Sequence, residues 1–325
     1  MKVLVVGYGS MGRRRIRLYR QLDGDAQFIC VDSNPERIKQ IRNDGHTAYS
    51  GLSEAVREKP DLAFVSTSPL SHSAIIPVLL RNKIDTFTEI NLSSENYDEM
   101  SRLAEESGTK LFLSSTMLYK KQIQKIKEIV QEQNQPLTYI YHIGQYLPDW
   151  HPWESYKDFF VSRKESNGCR EIYAIQLPWI VDTFGDVERL SAVSHRTTRL
   201  DIDYDDSFIT TLEHKNGNKG VFVVDVASRV ATTYLEVIGE NTHITWDGAN
   251  DGLKVYNTIE RKTETFTAYE NEVHDENYSA NIVENTYLDE IKDFMNFVKY
   301  GTDPKWSLEK DRAVLDLIDR IEGMK

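Results

Sequence analysis

Three glycines near the start of the chain have the spacing of a phosphate-binding loop. Gly7, Gly9 and Gly12 follow a short apolar run and open a helical pattern. In this arrangement the first glycine makes a tight turn, the second lets the backbone approach a pyrophosphate, and the third allows close packing of helix on strand. Asp32 ends the next predicted strand, where its carboxylate would bind a ribose diol and repel a 2′-phosphate. The pattern predicts an NAD site, with NADP less favoured.

Both features also have purely structural explanations. The glycines would suit an ordinary tight turn between strand and helix, and Asp32 would suit a loop residue that caps the helix after Asn34. Arg13 or Arg14 would contact the pyrophosphate, unless the basic run is only a solvated helix face. The remaining residues that we expect at the cofactor are Tyr8, Ser10, Met11, Ser33, Ser66, Thr67, Ser68, His72 and Glu89.

Short apolar runs alternate with helical patterns over residues 1–115, which is typical of βα units and a parallel sheet. Strands are predicted at 3–6, 28–31, 47–49, 62–66, 86–89 and 111–114, and helices after Met11, after Asn34, at 53–58, after Ser71 and after Ser94. Further along, strand patterns follow one another at 209–214, 221–226, 233–238, 243–246 and 253–256, with helices at 122–133, 284–299 and 307–321. Hairpin punctuation at 216–218 predicts a largely antiparallel sheet there.

The predicted fold class is therefore α/β, with two domains. Residues 1–118 form a doubly wound parallel sheet of Rossmann type, and residues 119–325 form an α/β domain with a large, mostly antiparallel open sheet. The C-terminal helices are free to pack back on the first domain. A length of 325 residues is sufficient for two hydrophobic cores.

Composition excludes several function classes. The 39 Lys and Arg residues against 51 Asp and Glu give a net charge of −12, which disfavours nucleic acids and anionic membrane surfaces. The sequence has no signal-peptide core and no apolar run of about 20 residues, so we expect a cytoplasmic protein that does not bind membranes. Cys30 and Cys169 are too few and too far apart for a disulfide framework, and no spacing of His, Cys, Asp and Glu predicts a metal site.

Several motifs together resemble one enzyme family. They are VLVVGYGSMGRRRI at the start, STSPLSHS after the fourth strand, FTEINL after the fifth and YLDEIKDFMNFVKYGTDPKWSLEKDRAVL near the end. In their order and spacing they resemble the Gfo/Idh/MocA oxidoreductases, the group of glucose-fructose oxidoreductase and inositol dehydrogenase. The resemblance covers nearly the whole chain. It implies NAD(P)-dependent chemistry on a sugar or sugar derivative, and a dimer or tetramer formed through the C-terminal sheet.

The fifth strand departs from that family at a position of chemical importance. The family ends this strand in Glu-Lys-Pro, and the lysine lies near the nicotinamide and the reacting hydroxyl. The matching residues here are Glu89, Ile90 and Asn91. Oxidation of a secondary alcohol by hydride transfer needs a group that accepts the hydroxyl proton, and isoleucine cannot do so. Cofactor binding is therefore more secure than the usual acid-base chemistry.

The helix predicted from residue 168 onward, in the second domain, lacks most of the ionisable residues that the family carries there. The family carries an acid, a histidine and an aspartate on it, and these positions hold Glu171, Ile175 and Pro178. Pro178 should kink or restart this helix. Family geometry would bring Glu171, Tyr173 and Gln176 near the nicotinamide. Glu171 would otherwise be a helix-start charge or a partner of the preceding arginine, and Tyr173 would otherwise be a core residue.

An aromatic stretch at 145–160 is the leading substrate loop. Trp150, His151 and Trp153 combine apolar faces with a titratable group, which suits sugar rings, although the aromatics would equally anchor a long loop to the core. Tyr119 and Lys120 lie at the exit of the sixth strand and are reserve proton carriers. The proton carriers that we consider first are His151, Glu171, Tyr173 and Glu89, and the expected substrate contacts are Tyr119, Trp150, His151, Trp153 and Gln176.

Three hypotheses for function follow from these residues. The first is an NAD(P)-dependent oxidoreductase that transfers a hydride at a secondary alcohol or ketone of a sugar, with a non-standard acid-base residue. The second is a protein that binds NAD and a carbohydrate without net redox turnover. The third is an epimerase or lyase that uses the cofactor transiently. Ile90 favours the second and third hypotheses, whereas the glycines and Asp32 argue against a purely structural protein.

Overall fold

The computed structural model describes residues 1–151, 154–269, 271–274 and 282–323. Trp153, which we expect at the substrate, lies outside the described residues. The chain forms two units, each of which is discontinuous in sequence. The first unit comprises Met1–Thr116 and Glu284–Arg312, and the second comprises Met117–Val283 and Ala313–Lys325.

The helices and strands follow the predicted order closely. The strands are β1 (Lys2–Val6), β2 (Gln27–Val31), β3 (Thr47–Tyr49), β4 (Leu62–Val65), β5 (Asp85–Thr88), β6 (Leu111–Leu113), β7 (Thr138–Gly144), β8 (Val187–His195), β9 (Ser207–His214), β10 (Lys219–Asp225), β11 (Thr232–Ile238), β12 (His243–Trp246), β13 (Leu253–Asn257) and β14 (Lys262–Phe266). The helices are α1 (Ser10–Tyr19), α2 (Pro35–Asn43), α3 (Leu52–Ala55), α4 (His72–Arg81), α5 (Tyr97–Ser107), α6 (Lys121–Gln131), α7 (Gly168–Phe184), α8 (Glu284–Tyr300) and α9 (Leu308–Ile321).

The first unit contains a six-stranded sheet in the order β3-β2-β1-β4-β5-β6. Every neighbouring pair in it is parallel. This is the doubly wound Rossmann order, in which the strand order reverses next to β1 and leaves a crevice at the carboxyl ends of the strands. The strands read as continuous apolar runs because both faces of a parallel sheet are covered. The predicted fold class is confirmed for this unit.

The second unit contains an eight-stranded sheet in the order β14-β13-β12-β11-β7-β10-β9-β8. Within the described part of this sheet, β7 and β10 pair in parallel, and all other neighbouring strands pair antiparallel. The mostly antiparallel sheet that we predicted is therefore confirmed. Along β7, Tyr139 and Tyr141 are buried while Ile140 between them is exposed, so one face of the sheet packs into the core and the other is open.

Three local predictions need correction. Helix α5 begins at Tyr97 and not after Ser94, because Asn96 adopts a left-handed conformation with φ of 63° immediately before it. Helix α7 is continuous from Gly168 to Phe184 and so does not restart at Pro178, since most of its side chains are buried and tertiary packing outweighs the one lost backbone bond. Strands β8 and β14 were not predicted, because their charged and small residues are largely exposed and lack an apolar alternation.

The basic run after Gly12 is not simply a solvated helix face. Arg15 is fully buried and its guanidinium lies between two carboxylates. Its Nε and Nη2 donate to Glu89 at 2.7 and 2.9 Å, and Nη2 also donates to Glu290 of α8 at 3.0 Å. Arg14 is likewise buried and its Nε donates to Glu284 at 3.0 Å, whereas Arg13 is exposed. These ion pairs tie α1 to α8 within the first unit.

Replacement of Arg15 by methionine is expected to destabilise the protein by about 3 kcal/mol or more, since it leaves two carboxylates without their buried partner. Urea unfolding would measure the change. The matched control is Arg13→Met on the same helix, which should stay within about 0.5 kcal/mol of the wild type because that side chain is exposed. Equal stability of the Arg15 and Arg13 variants would contradict the role given to this ion pair.

Candidate functional site

The glycine loop lies at the point where the strand order of the first sheet reverses. Gly7 has φ of +96°, and a Cβ built there would lie 2.5 Å from the carbonyl oxygen of Ser66, the residue after β4. A Cβ on Gly12 would lie 2.0 Å from the carbonyl oxygen of Gly7. At Gly9, in contrast, the only atoms within 4 Å of such a Cβ belong to the guanidinium of Arg37. The geometry therefore requires the first and third glycines and leaves the backbone at the second one open to a phosphate.

Asp32 is held at the carboxyl end of β2 by the same loop. Its Oδ2 accepts a hydrogen bond from the backbone N of Tyr8 at 2.8 Å, and its Oδ1 accepts one from the backbone N of Asn34 at 2.9 Å. The Tyr8 side chain is buried, and its hydroxyl donates to Asp44 at 2.6 Å. Burial is the main cause of the raised pKa of Tyr8, and the hydrogen bond to Asp44 raises this pKa further. Tyr8 thus anchors the loop through its side chain.

Arg37 is a neighbour of this carboxylate that the sequence interpretation missed. Its Nη1 lies 3.5 Å from Oδ2 of Asp32, and its side chain remains largely exposed. An arginine near this position is the group that accommodates a 2′-phosphate in NADP-binding proteins. Here the carboxylate of Asp32 neutralises it, which fits NAD as the cofactor.

The segment after β4 is braced by a buried histidine. His72 is at hydrogen-bond distance from three groups. Its Nδ1 lies 2.7 Å from Oδ1 of Asn91 and 3.2 Å from the hydroxyl of Thr88, and its Nε2 lies 3.2 Å from the carbonyl oxygen of Thr67. Burial lowers the pKa of His72, so it is a neutral structural link. Asn91, which has no proton chemistry of its own, is buried here as the partner of His72. Residues Ser66, Thr67 and Ser68 remain partly accessible in this segment.

Glu89 and Ile90 lie next to each other after β5 with very different surroundings. Glu89 is fixed by two bonds from Arg15, and its side chain is 12% exposed. The hydroxyl of Ser66 lies 3.5 Å from its Oε1. Both carboxylate oxygens of Glu89 are therefore engaged by one guanidinium. Ile90 is half-buried and offers no polar atom.

In the second unit β7 and β10 end side by side at one end of the sheet, which we call the carboxyl edge. Gly144 ends β7 opposite Asp225, which ends β10, and opposite Thr232, which begins β11. The loops after β7 and β10 therefore leave the sheet together. Backbone N atoms of Gln145 and Leu147 donate to the carbonyl oxygens of residues 225 and 226, which joins the two loops.

Helix α7 begins at the carboxyl edge. A Cβ on Gly168 would lie 2.9 Å from Val226, 3.3 Å from Leu147 and 3.4 Å from Trp150, so the start of the helix packs directly against both loops. Asn167 caps the helix, and its side chain accepts a hydrogen bond from the backbone N of residue 170 at 2.7 Å. The cap and the packing place the first turn of α7, which carries Glu171, beside the expected substrate loop.

Glu171 is an acid without a polar partner. Its Oε2 is buried and has no hydrogen-bond partner among the residues that the structure describes. Burial raises the pKa of Glu171 to about 8. Arg170 does not pair with it, because that guanidinium binds Asp319 at 2.8 Å and Glu322. Of the two structural explanations for Glu171, pairing with its neighbour is therefore ruled out.

Three other expected site residues are placed in the core. The hydroxyl of Tyr173 is buried at hydrogen-bond distance from Thr210, at 2.9 Å, and burial raises its pKa. The amide oxygen of Gln176 accepts hydrogen bonds from Tyr141 at 2.9 Å and from Trp179 at 2.8 Å. Tyr119 is also buried. We carry none of these three side chains forward as a proton carrier or substrate contact.

The aromatic loop after β7 makes its own local contacts. Trp150 donates from Nε1 to the carbonyl oxygen of Gln145 at 3.1 Å. His151 has Nδ1 2.7 Å from Oε1 of Glu154, and its ring centroid lies 4.4 Å from that of Phe159. His151 and Trp150 are both partly exposed, so they are accessible from solvent at the carboxyl edge. Their roles in substrate binding stay predictions.

Comparison with known families supports the resemblance drawn from the motifs. Residues 1–115 match the model of the Gfo/Idh/MocA family, described as an oxidoreductase family with an NAD-binding Rossmann fold. No protein in a search of curated sequences matches the chain. Across the described residues, no helix is long and apolar enough to cross a membrane, and no group of three or more His, Cys, Asp or Glu could hold a metal ion.

Several solved structures share the fold over almost the whole chain at low sequence identity. An oxidoreductase from Agrobacterium radiobacter, solved with NAD+, L-tartaric acid and magnesium, has a TM-score of 0.81 at 17% identity and covers 98% of this chain and 94% of its own. UDP-N-acetylglucosamine 3-dehydrogenase GnnA from Acidithiobacillus ferrooxidans has a TM-score of 0.76 at 16% identity, with coverage of 99% and 97%. GenD2 from gentamicin A biosynthesis, solved with NAD, has a TM-score of 0.78 at 16% identity, with coverage of 99% and 94%.

The pairing of Asp32 with Arg37 predicts how cofactor preference can be changed. Asp32→Ser should shift the ratio of NAD to NADP affinities toward NADP by about 10- to 100-fold, because it removes the repelling carboxylate and frees the guanidinium. Titration calorimetry with both cofactors would measure this. Adding Arg37→Met to Asp32→Ser is the control and should abolish the gained NADP affinity. If Asp32→Ser binds NADP no better than the wild type, the assignment of this carboxylate to the ribose is wrong.

Proposed function

We propose that this chain, whose residues 1–115 match the model of the Gfo/Idh/MocA oxidoreductase family, transfers a hydride between NAD and a secondary alcohol or ketone of a sugar or sugar derivative. Residues 1–118 would form the cofactor domain, and residues 119–325 the domain for substrate and oligomerisation. The expected location is the cytoplasm.

The fit of the glycine loop to a dinucleotide is the observation that carries this proposal. Gly7 and Gly12 have no room for a side chain, Gly9 is open, and Asp32 is oriented by two backbone N–H groups. The cofactor contacts that we propose are Gly7, Tyr8, Gly9, Ser10, Met11, Gly12, Asp32, Ser33, Ser66, Thr67, Ser68, His72 and Glu89. When bound, the cofactor supplies hydride transfer at its nicotinamide ring. The chain itself must then hold the sugar and move the hydroxyl proton.

Glu171 is the proton carrier that we propose. In alcohol oxidation the hydride of the C–H bond would pass to the oxidised cofactor, which becomes reduced, and the O–H proton passes to a base; ketone reduction reverses both transfers. A carboxyl with a pKa of about 8 is mostly protonated at neutral pH, so it can donate in reduction and accept in oxidation at slightly alkaline pH. Glu89 is less suited because Arg15 holds it. His151 is a second candidate at the same edge.

A sugar is the substrate class that the aromatic loop favours. Trp150 and His151 present ring faces beside polar groups, and this suits the apolar C–H faces and hydroxyl rims of sugars. Two of the structures that share the fold point in the same direction by their names, a UDP-N-acetylglucosamine dehydrogenase and an enzyme of gentamicin A biosynthesis.

The direct test is NAD binding together with hydride exchange across a panel of sugars and sugar nucleotides. The wild type should bind NAD and interconvert it with NADH on at least one compound. Gly9→Glu should abolish NAD binding, because a side chain would fill the open approach to the pyrophosphate. Glu171→Gln should retain NAD affinity and lose about 100-fold or more in rate.

Two results would overturn parts of this proposal. NAD affinity that survives Gly9→Glu would exclude the Rossmann site. NAD binding without hydride exchange on any compound would favour the alternatives, either a binding protein without turnover or an epimerase or lyase that uses the cofactor transiently.

The open face of the second sheet is the surface through which we propose a homo-oligomer, a dimer or a tetramer. Large apolar side chains on this sheet are exposed, namely Val193 at 63%, Ile209 at 43%, Tyr234 at 41%, Ile238 at 40% and Ile140 at 37%. Val193 lies opposite Ile209 in the β8–β9 register, so part of the set is contiguous. Apolar patches of this kind on a soluble protein mark interaction surfaces. A second copy of the chain offers the same surface in return.

Charges on this face should dissociate the oligomer. Val193→Lys with Ile209→Lys should convert the wild-type dimer or tetramer to a monomer in sedimentation velocity at micromolar concentration, because the like charges would be buried against each other. Ile259→Lys is the control, since Ile259 is 92% exposed in the turn between β13 and β14 and lies off the face. A wild type that sediments as a monomer would refute the proposal.

A further inference from the structure

Lys120 is a charged residue at the carboxyl edge that the proposed reaction does not use. It precedes α6, and its Nζ donates to the carbonyl oxygen of Gly248 at 3.2 Å. The ammonium also lies 4.9 Å from the ring centroid of Trp246, the last residue of β12. An ammonium has three donors, and this carbonyl is the one hydrogen-bond acceptor it has among the described residues.

The position of this lysine relates it to the substrate loops of the same unit. Trp246 pairs with Leu235 in the middle of β11, and a Cβ on Gly248 would lie 2.8 Å from Thr233, the second residue of β11. Strand β11 begins opposite Gly144, where β7 ends. Lys120 therefore lies at the carboxyl edge, as Glu171 does.

The charge of Lys120 is poorly compensated. No carboxylate lies within ion-pair distance of its Nζ in the described part of the chain, although other surface lysines have such partners. Among the described residues, Glu272 is the acidic group that favours its charge from a longer distance, and Glu272 is itself bonded to His274 at 2.6 Å. Burial lowers the pKa of Lys120 to about 8 in spite of Glu272. A lysine in this setting gains most from an added anion.

We infer that Lys120 recognises an anionic group of the substrate, a carboxylate or a phosphate. This deepens the proposed function and rests on it: the sugar would be an acidic or phosphorylated one. Lys120 would then bind the substrate at a point separate from Glu171, and it would select between charged and neutral sugars without taking part in the transfer of the hydride.

The inference has a thermodynamic signature, because the anion stabilises the protonated lysine. At pH 8 and without a bound anion, the Lys120 side chain is about half protonated. Anion binding favours the fully protonated lysine, so the protein should take up about half a proton from solution. Titration calorimetry of the full chain at pH 8, in two buffers of different ionisation enthalpy and with and without saturating NAD, measures this uptake. The probes are glucuronate, glucose 6-phosphate and UDP-glucose, with glucose as the neutral reference. Glucuronate carries a carboxylate, whereas glucose 6-phosphate and UDP-glucose carry phosphate groups, so their affinities distinguish the two kinds of anion.

Three variants separate this role from a structural one. Lys120→Met should weaken the preferred anionic probe by tenfold or more and remove the proton uptake, with glucose unaffected. Lys120→Arg should keep most of the affinity but take up no proton, because arginine is already charged at pH 8. Lys121→Met is the matched control. It alters the adjacent lysine, whose Nζ bonds to Gln124 at 3.4 Å, and should behave as the wild type.

The possible results distinguish a failure of the role given to Lys120 from a failure of the proposed oxidoreductase function. Equal binding of charged and neutral sugars, or proton uptake that persists in Lys120→Met, overturns the role of Lys120. If hydride exchange with neutral sugars is then still observed, the proposed function stands without it. If the chain binds NAD but neither binds nor converts any of the four probes, the role of Lys120 and the proposed sugar substrate both fail.

Discussion

The buried guanidinium of Arg15 is the interaction on which the first unit depends most. It lies between Glu89, which follows β5, and Glu290 of α8. Glu290 in turn accepts hydrogen bonds from the hydroxyl of Ser114, the backbone N of Ser115 and the hydroxyl of Thr116, which follow β6. One cation thus organises the carboxyl ends of two strands, the cofactor helix and a helix from a distant part of the sequence. Removal of such a charge leaves its partners buried and uncompensated.

The same interaction limits the chemistry available after β5. A lysine at position 90 would have supplied both a proton and a positive charge, and Ile90 supplies neither. Arg15 provides the positive charge to Glu89, but a guanidinium does not release a proton at any physiological pH. In the proposed function the acid-base group therefore comes from another part of the chain. That group is Glu171 at the carboxyl edge of the second sheet, and burial raises its pKa to about 8.

Much of the cofactor site could be predicted from sequence because its determinants are local. Gly7, Gly9, Gly12 and Asp32 lie within one βαβ unit, and each is required by a backbone position or by a single charge. Arg37 and Asn91 were missed, since what they do depends on neighbours that only the fold brings close. The burial of Arg14 and Arg15 was also unpredictable, because Glu284 and Glu290, their partners on α8, lie 270 and 275 residues further along the chain.

The second unit was harder to predict for a different physical reason. Tyr173 and Gln176 have the residue types of an active site, but their polar atoms are used in hydrogen bonds within the core. Glu171 on the same helix has no such partner in the described residues. Sequence alone cannot distinguish these cases, because all three residues fall within two turns of one helix. Whether a buried polar atom is satisfied depends on residues from other strands.

A crystal structure of the full chain with NAD and a reactive sugar tests the central claim most directly, which is that proton transfer has moved from the fifth strand to the second sheet. The account predicts that the reacting hydroxyl lies within about 3 Å of the Glu171 carboxyl. It also predicts that Glu89 keeps both of its bonds to Arg15. The opposite result would contradict the account: Glu89 released from Arg15 and bonded to the reacting hydroxyl of the sugar, with Glu171 still buried and without a bond to the sugar.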